Sequence, residues 1–89
     1  MKGHPLRSLF NKIKWTEKKQ EYHRFIIRYI HRGAPNDTRE VFFSEVTYIG
    51  KNWFEIGEDD GPVPFHRILE VRDTRLKKIL WRKRKKSNE

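Results

Sequence analysis

The sequence contains no cysteine among its 89 residues. This absence excludes a disulfide scaffold and a thiolate metal site, and it agrees with a reducing compartment, so we expect a cytoplasmic protein. Long apolar runs are also missing. No run approaches the roughly 18 to 20 residues of a spanning helix, and the segment from Met1 to Pro5 lacks the apolar core of a signal peptide. We therefore expect no association with a membrane.

Acidic residues are few relative to basic ones. There are 21 Lys and Arg against 12 Asp and Glu, which gives a formal net charge of +9. The imbalance is concentrated between positions 72 and 86, where nine basic residues accompany a single acid, Asp73. A basic excess clustered in this way indicates a polyanionic partner, and RNA is the partner that we expect.

Aromatic residues are plentiful for so short a chain, at 13%. Because large rings bury more area than aliphatic side chains, we expect a thin core built around them. The expected core aromatics are Trp15, Trp53, Trp81, Phe10, Phe25, Phe43, Phe54 and Phe65. A chain of this length suits one domain rather than two, so we predict a single domain over residues 1–82 and a basic, disordered tail over 83–89.

Hydrophobic periodicity predicts one helix followed by strands. Leu6, Leu9, Phe10 and Ile13 repeat at helical spacing, which predicts a helix ending near Thr16. Apolar runs separated by turn-forming residues predict strands at positions 21–32, 40–43, 46–49, 53–56, 63–71 and 78–81. The predicted fold class is α+β, with the N-terminal helix packed on a small, strongly bent antiparallel sheet or partial barrel of about five strands.

One segment pattern occurs twice. Residues 41–49 and 63–71 both follow the order apolar, any residue, Phe, polar, charged, apolar, two of any type, apolar. Two copies are too few for a solenoid, so we interpret them as two similar strand-to-turn units on one sheet. The copies differ at one informative place, where Ser44-Glu45 of the first becomes His66-Arg67 of the second.

His66 and Arg67 form the first candidate site. Pro64 precedes them, and because proline cannot donate a ladder hydrogen bond, the pair is expected at an edge strand or a bend. An imidazole beside a guanidinium can hold a phosphate, with the guanidinium supplying a bidentate fork. The alternative is that His66 only bonds backbone at the bend while Arg67 is solvated.

His31 and Arg32 form the second candidate site. They precede a loop that contains Gly33, which places backbone N–H groups beside an arginine and could cradle an anion. The alternative is an ordinary loop with an exposed arginine. Asp37 is expected to order this loop or to pair with an arginine.

The C-terminal basic run is a third candidate. Arg82, Lys83 and Arg84 begin a stretch of five consecutive cations, which typically supplies phosphate affinity without sequence specificity. Its alternatives are a solubilising end or a nuclear targeting signal. Should any aromatic ring be exposed beside the basic face, it could stack a base. The candidates for stacking are Tyr22, Tyr29, Tyr48 and Trp81.

Signals for catalysis or metal binding are weak. The four histidines lack metal-ligand spacing, and no nucleophile motif is present. Glu58, Asp59 and Asp60 could bind a cation, but three acids between glycines more commonly form an exposed hairpin turn. We predict no metal site, no catalytic residue and no cofactor.

The sequence resembles an archaeal family called the RNA cyclic group end recognition domain, formerly classed only as uncharacterised. The resemblance covers about residues 6–82, and Pro-x-His-Arg-Ile is its most specific motif. The matching stretches are residues 9–15 (LFNKIKW), 31–35 (HRGAP) with Asp37, 43–46 (FSEV), 63–68 (VPFHRI) and 79–81 (ILW).

The resemblance implies recognition of RNA ends that carry a 2′,3′-cyclic phosphate, in company with RNA-repair or end-processing enzymes. It places His66 and Arg67 at the phosphate, Arg32 and Asp37 near by, and Trp81 or Trp15 against the terminal base or in the core. Two alternatives stay open. One is an RNA phosphodiesterase or nuclease using His31 and His66 as acid and base, and the other is a basic module that docks on acidic proteins.

Overall fold

A computed structural model of the chain describes residues 5–57 and 61–83. These ranges contain one α-helix, α1, which spans Pro5–Thr16 and begins at the proline, whose missing N–H is not needed in a first turn. Leu6, Phe10 and Ile13 are buried on one side of this helix. The predicted helix and its end are therefore confirmed. No helix within the described ranges is long and apolar enough to cross a membrane.

Within the described residues, seven antiparallel strands follow the helix. They are β1 (Phe25–Ile30), β2 (Thr38–Phe42), β3 (Val46–Ile49), β4 (Trp53–Ile56), β5 (Pro62–Pro64), β6 (Ile68–Asp73) and β7 (Lys78–Arg82). Four of them form one sheet in the order β2-β1-β6-β7, and three form a second sheet in the order β3-β4-β5. The α+β class is confirmed, and neither sheet closes into a barrel.

The two similar segments are the connections between the sheets. Each consists of a strand, a three-residue 3₁₀ helix and another strand, with the 3₁₀ helices at Phe43–Glu45 and Phe65–Arg67. The first copy leads from β2 in the larger sheet to β3 in the smaller one, and the second leads from β5 back to β6. Their placement on one sheet was a wrong prediction, because the 3₁₀ turn redirects the chain after each first strand.

Phe10 lies at the centre of the core. Its ring meets those of Phe43, Phe54 and Phe65 at centroid distances of 5.5, 5.5 and 5.6 Å, each in an edge-to-face arrangement. Phe25 is also buried, so all five phenylalanines predicted for the core are in it. The first position of each 3₁₀ connection thus supplies one ring to the contact between helix and sheets.

The three tryptophans depart from the predicted core. Trp15 is 83% exposed because it lies two positions after Ile13, about 200° around the helix from the buried side. Trp53 and Trp81 are only partly buried, and Trp81 packs against the edge of the core. The core therefore depends on phenylalanine rather than on tryptophan.

A polar cluster lies at the C-terminal end of β6. Asp73 is 2% exposed, and it pairs with Arg24 at 3.2 Å and accepts hydrogen bonds from the backbone N–H groups of Arg75 and Leu76. The loss of water around Arg24 opposes its charge, but the hydrogen bond to Glu21 and the charge of Asp73 outweigh this and raise the pKa of the guanidinium. This network fixes the 3₁₀ helix at Lys19–Arg24 to the β6–β7 turn.

Candidate nucleic-acid interface

Two of the candidate sites meet at one end of the four-stranded sheet. Strand β1 ends beside the start of β6, because Tyr29 pairs with Ile68 in the antiparallel register. His31 follows β1 directly, and the 3₁₀ turn that carries His66 precedes β6. The described pairing ends at Tyr29 and Ile68, so His31 and His66 both lie just beyond it, at the same end of the sheet. Groups separated by 35 positions in the sequence therefore share one sheet end.

A β-bulge shapes this junction. The register between β1 and β6 shifts after Arg28, which leaves Leu69 as the extra residue of β6. Bulges bend a strand and are common next to functional sites, where they re-aim side chains. Pro64 ends β5, which is an edge strand of the smaller sheet, and the bend begins immediately after it. The predicted position of His66 and Arg67 at an edge strand or bend is confirmed.

The C-terminal basic run enters the same sheet end through β7. Arg82 pairs with Glu70 across the strands, and the backbone N–H of Lys83 donates to the Leu69 carbonyl at 2.9 Å. The Lys83 ammonium donates to the carbonyl oxygen of His66 at 2.7 Å. This contact places a fixed cation on the turn that carries the imidazole. Arg84 lies outside the described residues.

The resulting cluster is exposed and cationic. Its six members are all exposed, and we refer to them as the sheet-end cluster: His31, Arg32, His66, Arg67, Arg82 and Lys83. In the part of the chain that the structure describes, none of the three arginines forms an ion pair. No described carboxylate oxygen therefore lies within ion-pair distance of their guanidinium groups, which leaves these groups available to an anion.

Asp37 orders the loop after β1. Its carboxylate accepts a hydrogen bond from the Gly33 N–H at 3.3 Å, and its carbonyl accepts one from the His31 N–H at 2.8 Å. Asn36 and Asp37 both adopt left-handed backbone conformations, which these residue types tolerate better than most. The Gly33 N–H of the predicted anion cradle is thus occupied by Asp37, and the loop contributes the Arg32 side chain instead.

The aromatic candidates for base stacking separate clearly by exposure. Tyr29 is 2% exposed and lies in the core, so its selection was wrong. Tyr22 is partly buried against Phe43, with ring centroids 4.9 Å apart, and its hydroxyl donates to the Lys14 carbonyl at 3.1 Å. Trp81 faces the core, and Tyr48 is 51% exposed. Of the four candidates, Tyr48 presents the most accessible ring.

Surface cavities occur at other places. One of about 350 Å³ lies at the opposite end of the four-stranded sheet and is lined by residues 72–74 and 77–79. Another, of about 160 Å³, lies beside β3 and includes Lys14, Lys19 and Tyr48 in its lining. These two lysines were not candidates in the sequence, because each is one cation among many and only the fold brings them to an exposed ring.

The described residues contain no metal-binding group of three or more His, Asp or Glu side chains. Glu58, Asp59 and Asp60, the possible cation ligands in the sequence, lie outside the described residues. Within residues 5–57 and 61–83, neither His31 nor His66 donates a hydrogen bond to a carboxylate; the His31 ring instead meets the Tyr29 ring edge-on at 6.1 Å. Neither imidazole is oriented by an acid in the way that a catalytic base commonly is.

Comparison with known proteins finds one matching family and several relatives of this chain. The family model of the MJ1316 RNA cyclic group end recognition domain matches residues 1–83. The UPF0248 protein MMP0286 of Methanococcus maripaludis is 36% identical over 81 residues, covering 89% of this chain and 99% of that protein. A UPF0248 protein of Pyrobaculum calidifontis is 35% identical over 69 residues, covering 75% of this chain and 83% of that protein. No solved structure matches the chain at a significant level.

Proposed function

We propose, from the premise that this chain belongs to the MJ1316 RNA cyclic group end recognition domain family, that it binds RNA 3′ ends carrying a 2′,3′-cyclic phosphate. The observation that carries the proposal is the register of β1 against β6, which brings His31 and Arg32 to the turn that carries His66 and Arg67. The function is recognition, performed by the sheet-end cluster.

The chemistry of the terminus matches the groups that surround this sheet end. A 2′,3′-cyclic phosphate presents one negative charge on two non-bridging oxygens, whereas a 3′-hydroxyl end presents no charge. Arg67 supplies a planar fork that can hold both oxygens, and Arg32 offers a second fork from the neighbouring loop. His66 and His31 each offer a ring N–H donor to the same group or to the ester oxygens.

The remaining cluster members serve the strand rather than its end. Arg82 and Lys83 add charge that attracts the preceding phosphates without reading the sequence, and Arg84 continues this run. Asp37 acts indirectly, by holding the loop that presents Arg32. Trp81, which belongs to β7, packs against the core and so holds this strand in place. RNA-repair and end-processing enzymes are the partners expected for a protein that marks such ends.

The test is a set of binding titrations with three RNAs that differ only at the 3′ terminus, which is a cyclic phosphate, a linear phosphate or a hydroxyl. Wild-type protein is expected to prefer the cyclic end over the hydroxyl by about 10- to 100-fold, since a hydrogen bond to a charged group contributes about 1.5–3 kcal/mol. His66→Ala should lose most of this preference. Arg67→Lys keeps the charge but removes the fork, so it should retain general RNA affinity and lose part of the preference. Equal affinity of wild type for all three ends would refute end recognition.

A phosphodiesterase is the second candidate, and the position of His31 and His66 at the same end of the β1–β6 pairing is the observation that favours it. The same titration separates the two functions if the cyclic-phosphate RNA is recovered afterwards and its terminus identified. Recognition predicts that the cyclic phosphate is recovered intact. Conversion to a linear phosphate by wild type, abolished in both His31→Ala and His66→Ala, would establish the enzyme instead.

A further inference from the structure

The outer face of the three-stranded sheet carries a pair of aromatic rings. Tyr48 on β3 and Trp53 on β4 lie with their ring centroids 5.9 Å apart and their planes inclined by 38°. The Trp53 indole donates to the Glu55 carboxylate at 3.2 Å. It also lies against Gly50, where an added Cβ would come within 2.8 Å of the ring. Trp53 is thus held on two sides. Tyr48, which is 51% exposed, packs against this held ring.

Positive charge flanks the exposed ring. The cavity of about 160 Å³ beside β3 is lined by Lys14 from the end of α1, Lys19 from the following 3₁₀ helix, and Tyr48 itself. Lys51, in the turn between β3 and β4, is also exposed. An exposed ring between flexible ammonium groups is the combination that binds single-stranded nucleic acid, where the bases stack and the phosphates meet cations.

The aromatic pair is joined to the sheet-end cluster by backbone contacts. Trp53 pairs with Pro64 across β4 and β5, and His66 follows Pro64 by two residues. In addition, the Asn52 carbonyl accepts a hydrogen bond from the Phe65 N–H at 2.9 Å. The turn between β3 and β4 is therefore bonded directly to the turn that carries His66. An RNA strand whose end lies at His66 therefore has the aromatic pair as a neighbouring surface.

We propose that Tyr48 is the stacking ring of a second nucleotide subsite, which holds a base at least two nucleotides upstream of the 3′-terminal one while Lys14 and Lys19 contact the adjoining phosphates. This subsite rests on the proposed function for its direction along the strand. Its ligand class is a single-stranded oligonucleotide, read by stacking and charge and not by base identity. The subsite sets affinity, whereas the sheet-end cluster sets preference for the terminus.

The charges around the ring favour RNA over a protein partner. A proline-rich or apolar peptide would gain nothing from the two lysines of the cavity, whereas a phosphodiester chain gains an ion contact at each. Phe42 provides an internal contrast, because its ring is 46% exposed but lies on the other sheet, outside the lysine-lined cavity. Phe42 therefore serves as the matched control for an exposed ring outside the subsite.

The experiment compares an octanucleotide and a dinucleotide, both ending in a 2′,3′-cyclic phosphate, on the full chain. Tyr48→Ala is expected to lower the affinity for the octanucleotide by about 5- to 100-fold, the range for loss of one stacked base. The affinity for the dinucleotide should change by less than about twofold. Tyr48→Phe keeps the ring and should bind the octanucleotide like wild type. Phe42→Ala should also leave both affinities unchanged, and thermal unfolding establishes that each variant is folded.

The outcomes separate this proposal from the proposed function. Unchanged octanucleotide affinity in Tyr48→Ala would overturn the subsite, and an equal loss for both RNAs would place the ring at the terminus and overturn its upstream position. The preference of wild type for a cyclic over a hydroxyl end is measured in the same series. If that preference is absent but Tyr48→Ala still lowers the affinity for the octanucleotide more than that for the dinucleotide, end recognition fails and the stacking subsite stands.

Discussion

Replacing Phe10 with alanine is expected to lower the free energy of unfolding by about 3–5 kcal/mol, the range for truncating a buried phenylalanine. The physical reason is the position of the ring, which is fully buried and contacts three other rings, one from β4 and one from each 3₁₀ connection. Its loss leaves a cavity at the point where the helix and both sheets meet. The three phenylalanine partners cannot fill this cavity without moving the backbone turns that carry Phe43 and Phe65.

The size of this effect matters because the domain is small. At roughly 0.05–0.15 kcal/mol per residue, a chain of this length has a total stability of only about 4–13 kcal/mol. Urea denaturation followed by circular dichroism would measure the change as a lower midpoint. Trp15→Ala on the same helix is the control and should shift stability by less than about 0.5 kcal/mol, since its ring is 83% exposed. Equal losses for the two variants would contradict the described packing.

Reversing two charges of the sheet-end cluster is expected to have the largest effect on binding. The double variant Arg32→Glu with Arg67→Glu should lower the affinity for RNA with a cyclic-phosphate end by about 10²- to 10⁴-fold, because two charge-assisted contacts are lost. Both side chains are exposed, so the fold should be unaffected. The salt dependence should change as well, with the slope of log K against log salt becoming shallower by about 1.4 for two lost contacts.

A matched control separates this local effect from general attraction. Lys77→Glu with Lys78→Glu changes the net charge by the same amount, but Lys78 pairs with Asp73 at the opposite end of the four-stranded sheet. This variant should bind RNA within about tenfold of wild type, because exposed charges beyond a Debye length are largely screened. Equal losses in the two double variants would show that RNA responds to overall charge and not to the sheet-end cluster.

The sequence predicted the elements of this fold well where local signals decide them. The spacing of Leu6, Phe10 and Ile13 is sufficient for the helix, and the turn-forming residues mark most strand ends. The 3₁₀ helix at Lys19–Arg24 was not predicted, and the strand predicted over 21–32 begins later, at Phe25, because Tyr22 had been counted in the apolar run of that strand. Arg24 pairs with Glu21 inside this helix and with Glu17 just before it, and its pair with Asp73 on β6 is the contact between distant elements.

The local sequence pattern could not predict that the strands divide into two sheets. An alternating apolar segment specifies which face of a strand is buried, but it does not specify which partner strand will cover that face. The repeated segment was recognised in the sequence, yet its role as a crossing between sheets depends on the angle of a three-residue 3₁₀ turn. The same limit explains Trp15, whose aromatic character favoured burial while its helical position decided exposure.

The candidate site shows the same pattern. His66 with Arg67 and His31 with Arg32 were each identified from local chemistry, but their proximity follows from the pairing of β1 with β6. Asp37 was expected to order its loop or to pair with an arginine, and the structure shows the first of these. Tyr48 and Tyr29 were equal candidates in the sequence. Only the fold separates them, by burying Tyr29 beneath the sheet and leaving Tyr48 at an edge strand.

The most direct test of the central claim is amide chemical-shift mapping of the isotope-labelled chain with two dinucleotides, one ending in a 2′,3′-cyclic phosphate and one in a 3′-hydroxyl. The largest shifts with the cyclic end should fall together on residues 31–32, 66–67 and 82–83, and the hydroxyl end should produce much smaller ones. These groups are far apart in sequence and are united only by the sheet end. Shifts concentrated on residues 72–79, or equal shifts for both dinucleotides, would contradict a terminus-binding site at this place.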